Sequence, residues 1–169
     1  MEVLCAVLFV VMGHFVLFEM IAIPLWAWVF ALICLALIDY DTLIIPDSLL
    51  IVALISGVGW LILTGTDVWW AFGGMLAGGL PLLVIDVLVR IFLKKPGFGF
   101  GDVKLMAVCG LFLGVSGVVS AYFIAFVAGG LYGGFLLYTG KARTGGYFAF
   151  APFLCVGVVL AFLQIFELF

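Results

Sequence analysis

Apolar residues fill this chain in long runs, at roughly 3–22, 24–40, 48–65, 68–93, 103–117, 119–139 and 148–168, separated by short polar or Gly/Pro-containing breaks. A helix of about twenty residues crosses about 30 Å of hydrocarbon at 1.5 Å per residue. In lipid, where water cannot satisfy backbone groups, such runs become helices. The pattern therefore predicts an all-α, polytopic transmembrane bundle of six to seven spans. The first run is the weakest, since it carries His14 and Glu19. The break between the fifth and sixth runs rests only on Gly114 to Gly117.

Composition strengthens this picture. The chain is 69% hydrophobic and 9% charged, with a mean hydropathy of +1.53. It lacks the polar surface that a soluble domain of this size shows to water, so a single integral-membrane domain over 1–169 is expected. Glu2 stands where a cleavable signal would carry basic residues, and no small-x-small site follows the first run, which is thus read as a retained span. Cys5, Cys34, Cys109 and Cys155 lie scattered in apolar runs without CxxC spacing. They read as apolar thiols, with no zinc site and no disulfide framework.

The charges orient the bundle. If the chain starts in the cytoplasm, the loops after spans two, four and six are cytoplasmic. Every Lys and Arg then falls on that side: Arg90, Lys94, Lys95, Lys104, Lys141 and Arg143. Glu19, Asp67 and Glu167 fall on the other. This is the positive-inside bias, and it brings Asp39, Asp41, Asp47 and Asp102 to one face. Glycines spaced by four (74 and 78, 110 and 114, 129 and 133, 130 and 134) let helices approach closely and are read as packing within the chain.

Two acidic stretches carry the candidate chemistry. In LALIDYDTLIIPD, Asp39 ends an apolar helix, and an acid at the hydrocarbon edge marks a functional site unless it is solvated or paired. Asp41, two residues on, is rotated by about 200° on a continuing helix. Pro46 disfavours helix at Ile45, which leaves Asp47 or Ser48 to cap the next one. In KKPGFGFGDVKL, glycines at 97, 99 and 101 allow left-handed backbone or close approach ahead of Asp102. Asp102 also suits a helix N-cap, and Lys104 a lysine snorkelling at the membrane edge.

Two carboxylates facing each other in a partly dry site share one proton. The ionised one activates water against a peptide carbonyl while the protonated one polarises that carbonyl. This chemistry needs no metal or cofactor, and none is expected; nor is a nucleic-acid partner. His14 reads as a packing residue. A transporter is the rival class, with Asp86 inside span four as its best residue. Arg90 lies one turn along the same helix, however, and an ion pair accounts for Asp86.

Asp39 through Pro46-Asp47 resembles the D-x6-P-D element of type IV prepilin peptidases. Gly99-Phe100-Gly101-Asp102-Val103-Lys104 resembles their GxGDxK element, and YFAFAPFLCVG (147–157) the proline-containing start of their last helix. The resemblance covers nearly the whole chain. It implies a membrane-embedded aspartic protease of the prokaryotic cytoplasmic membrane that cuts leaders from prepilins, pseudopilins or archaellins on the cytoplasmic side. It makes Asp39 and Asp102 the catalytic pair, with Gly99, Gly101, Lys104, Asp41, Pro46 and Asp47 in support.

Bifunctional relatives also methylate the new N-terminus, using a long N-terminal cytoplasmic segment. Nothing precedes the first runs here, so the peptidase-only form is expected. Many relatives also place a Glu a few residues ahead of GxGD, where this chain has Lys94-Lys95-Pro96. Tyr40-Asp41 followed by GxGD resembles presenilin-like proteases as well, which would pair Asp41 with Asp102. Asp39 is preferred because D-x6-P-D fits as a unit.

Overall fold

The computed structural model describes residues 22–94, 99–140 and 149–167. Among them every regular element is a helix: α1 (Ala22–Thr42), α2 (Asp47–Thr64), α3 (Val68–Leu93), α4 (Phe100–Tyr138) and α5 (Ala151–Glu167). The first four are long and apolar enough to cross a membrane, and α5 carries a shorter apolar stretch, Ala151–Ile165. The protein is accordingly a multi-pass membrane protein. The first predicted run, with Cys5 and His14, lies outside the described residues, as do Lys95, Pro96, Gly97, Lys141 and Arg143.

The fifth and sixth predicted runs form one helical stretch, α4, broken at Gly114 (φ 59, ψ −174). The chain reverses there. Gly78 packs on the Met106 backbone, and its carbonyl also accepts a hydrogen bond from the Tyr122 hydroxyl. On a straight helix Met106 and Tyr122 would be about 24 Å apart; both reach Gly78 because 100–113 and 115–138 run antiparallel. The left-handed φ at Gly114 suits glycine alone, and the Trp70 indole occupies the space that a Cβ would need. The break expected between Gly114 and Gly117 is therefore real and very tight.

The glycine pairs divide. Gly74 and Gly78 interlock with Gly110, Gly114 and Met106, bringing the α3 backbone onto that of α4, while Gly129 packs on Phe150. Gly130, Gly133 and Gly134 face open space, which corrects the expectation of internal packing for that part of the repeat. Further along, α5 lies antiparallel to the second half of α4, with Gly157 on Ala121 and Ile165 beside Gly117.

A layer of aromatic rings joins four of the helices. Trp28 stacks on Phe112 at 4.1 Å and meets Phe162 edge-on at 5.3 Å. Trp60 approaches the same two rings at 6.1 and 5.9 Å. Trp28 precedes Asp39 by about three turns, and Phe112 and Phe162 follow the starts of α4 and α5 by as much, so the layer lies about 15 Å inside that end of the bundle. Cys109 and Cys155 are buried and Cys34 is half-buried, all as free thiols, in keeping with apolar packing.

Candidate active site

The end of α1 and the starts of α2, α4 and α5 meet at one end of the bundle. α1 continues through both Asp39 and Asp41, so the two point apart as a helix requires: Asp39 is buried, only 6% exposed, and Asp41 is exposed. Leu43 ends the helix in a left-handed conformation (φ 56), its N–H donating to the Asp39 carbonyl at 2.9 Å. The chain then runs without regular structure to Pro46, the N-cap of α2.

Asp39 Oδ2 accepts a buried hydrogen bond from the Ala151 N–H at 3.1 Å. That N–H begins α5, where unpaired amides and the helix dipole favour a carboxylate. The sequence marks this helix start by Pro152, just inside it. Nothing in the sequence signals that its amide reaches Asp39.

Asp102 is 8% exposed and sits in the first turn of α4, behind the N-cap Gly99. It is therefore not the cap itself; its own N–H donates to the Gly99 carbonyl at 3.0 Å. The carboxylates of Asp39 and Asp102 are near enough to interact electrostatically. Gly99 has an extended backbone (φ −67, ψ 135) open to any residue, so left-handed freedom is not its reason. Gly101 is different. A Cβ there would lie 2.8 Å from Cβ of Ile45, so the missing side chain lets the Asp102 turn close on the α1–α2 connection.

Asp47 corrects the capping expectation. No side-chain cap is made at α2; instead Asp47 Oδ1 accepts from Lys104 Nζ at 2.7 Å. Lys104 is thus paired across the two motifs rather than snorkelling alone. Asp86 is 8% exposed and bonds Arg90 Nε at 2.7 Å, as expected. Among the described residues no cluster of three or more His, Cys, Asp or Glu is placed to hold a metal ion.

With two buried carboxylates drawn from D-x6-P-D and GxGDxK sequences and brought to one end of an apolar bundle, comparison with known proteins becomes decisive. Residues 25–134 match the model of the type IV leader peptidase family. The chain belongs to that family. Among curated leader peptidase relatives, a prepilin leader peptidase/N-methyltransferase of Bacillus subtilis (strain 168) is 32% identical over 140 residues, which is 83% of this chain and 55% of the relative. One from Pseudomonas putida is 30% identical over 166 residues, 96% of this chain and 57% of the relative. One from Burkholderia pseudomallei (strain 1026b) is 32% identical over 134 residues, 75% and 41% respectively. The chain thus spans about half the length of the leader peptidase relatives it matches. No solved structure gives a significant match.

Proposed function

We propose that this protein is a membrane-embedded aspartic endopeptidase that removes the leader peptide from type IV prepilin-like precursors at the cytoplasmic face of a prokaryotic plasma membrane. Asp39 and Asp102 are its catalytic pair. The observation that carries this reading is their convergence: two acids far apart in sequence, each nearly excluded from solvent, on helix ends joined by the Ile45–Gly101 contact and the Asp47–Lys104 ion pair.

One carboxylate, ionised, removes a proton from a water whose oxygen bonds to the scissile carbonyl carbon. The other, protonated, donates to the carbonyl oxygen. Collapse of the tetrahedral species then breaks the C–N bond as a proton passes to the leaving amine. The Ala151 N–H, bonded to Asp39 Oδ2, holds that carboxylate in one orientation throughout. The proposal is for the peptidase step, to which the matched residues 25–134 correspond.

The bundle is proposed to cross the membrane six to seven times with its N-terminus in the cytoplasm, which sets the pair at the cytoplasmic boundary. A prepilin presents a basic leader followed by an apolar helix lying in the bilayer, so the bond to be cut lies at this depth. Exposed Asp41 is suited to attract the leader, whereas Asp47 already holds Lys104.

The test is cleavage of a prepilin whose leader ends in glycine, by purified protein, comparing wild type with three variants. Asp39→Asn and Asp102→Asn should each lower turnover by at least about a hundredfold, and Asp41→Asn should stay within a few fold. An active Asp39→Asn with an inactive Asp41→Asn would transfer the role to Asp41.

A further inference from the structure

The two acidic motifs touch at a point that the catalytic steps do not use. Lys104 lies in α4 two residues beyond Asp102, and its Nζ is 2.7 Å from Oδ1 of Asp47, the first residue of α2. The same ammonium lies 5.3 Å from the centroid of the Phe100 ring. One turn earlier Ile45 presses into the gap left by the missing side chain of Gly101. The Asp102 turn is therefore held on the α1–α2 connection twice, by packing and by charge.

The two side chains are 40% and 68% exposed, and exposed ion pairs of this kind contribute little to overall stability. Its place between the two motifs bears on geometry instead. Asp39 and Asp102 stand on different helices, α1 and α4, which meet about three turns deeper where Trp28 stacks on Phe112, so their separation at the helix ends depends on the contacts made there. Misplacing a reacting group by about 1 Å can cost about a hundredfold in rate.

Building on the peptidase reading, we propose that the Asp47–Lys104 ion pair is a positioning clasp, which fixes the Asp102 turn against the Asp39 end of α1 and acts on turnover rather than on substrate binding. The clasp needs a cation and an anion facing each other, not these two residues in these two places.

Two measurements on the full chain in lipid nanodiscs test it. A zero-length carbodiimide joins only a carboxylate and an amine in contact; mass spectrometry should find Asp47 coupled to Lys104 in wild type, and no such product in Lys104→Met. In prepilin cleavage, Lys104→Met and Asp47→Asn should each lower kcat by about tenfold or more, with KM within about twofold and an unfolding temperature close to wild type. Lys104→Arg should stay near wild type, and the exchange Asp47→Lys/Lys104→Asp should exceed both single variants.

Absence of the cross-link overturns the clasp whether or not the protein cleaves anything. A raised KM with unchanged kcat, or an exchange no better than the single variants, overturns the positioning role. If the cross-link forms but wild type cuts no prepilin, the contact stands, and the peptidase reading falls with the positioning role built on it.

Discussion

The two glycines nearest Asp102 carry different physical demands. Gly99 caps α4 with an ordinary extended backbone, and a Cβ there would lie 3.5 Å from Asp102 Oδ2, a normal contact. Gly101 has no such room, because Ile45 meets it through a Cβ fixed to the backbone, 2.8 Å from where a methyl would go. Gly99→Ala should therefore keep prepilin cleavage within about threefold, while Gly101→Ala should push the Asp102 turn outward and lower turnover by about a hundredfold. Equal losses in the two variants would show that the glycines serve the chain's flexibility and not this one contact. Ile45→Gly, which removes that Cβ, combined with Gly101→Ala should recover part of the activity by making room for the methyl.

At the scale of elements, the seam between α3 and α4 depends on backbone meeting backbone. A Cβ on Gly74 would fall on the Gly110 carbonyl, and one on Gly110 would fall on the Gly74 carbonyl. No rotamer change can relieve such a clash, since neither obstacle is a side chain. Gly74→Ala and Gly110→Ala should each destabilise the fold by about 1–3 kcal/mol or more, measured as a fall in unfolding temperature in detergent. Gly130→Ala and Gly134→Ala share the four-residue spacing but face open space, so they should not lower that temperature. The spacing alone made these pairs look equivalent; which of them lies in a seam depends on the reversal at Gly114.

For the molecule as a whole, much was legible in the sequence because apolar length and helix breaks are local signals. The runs at 48–65 and 68–93 reappear as α2 and α3 to within a residue, and the boundary placed between Gly114 and Gly117 reappears as the break at Gly114. Asp39 and Asp102 were also legible, since an acid is costly at the edge of an apolar run. Their partners were not. The Ala151 amide on Asp39, Lys104 on Asp47 and Ile45 on Gly101 all join distant parts of the chain, and neither hydropathy nor spacing encodes which helix end lies beside which. Asp47 suits a cap by its local position and makes none, because a lysine from another helix pairs with its carboxylate.

The proposed orientation of the bundle rests on charge placement and is open to a direct check. Asp39, Asp47, Lys104 and the start of α5 share one end, and the connection between α2 and α3, through Gly65 to Asp67, belongs to the opposite end because α2 leads away from the first. Single cysteines in a chain with its four native cysteines replaced by serine or alanine report on each end in intact cells. Ser48→Cys, exposed at the start of α2, should resist a membrane-impermeant maleimide until the inner membrane is opened. Asp67→Cys, exposed before α3, should react from outside at once. The reverse pattern would set the carboxylate pair on the outer face, away from a basic leader held in the cytoplasm. The proposed substrate would then fail on geometry even if the pair itself were competent.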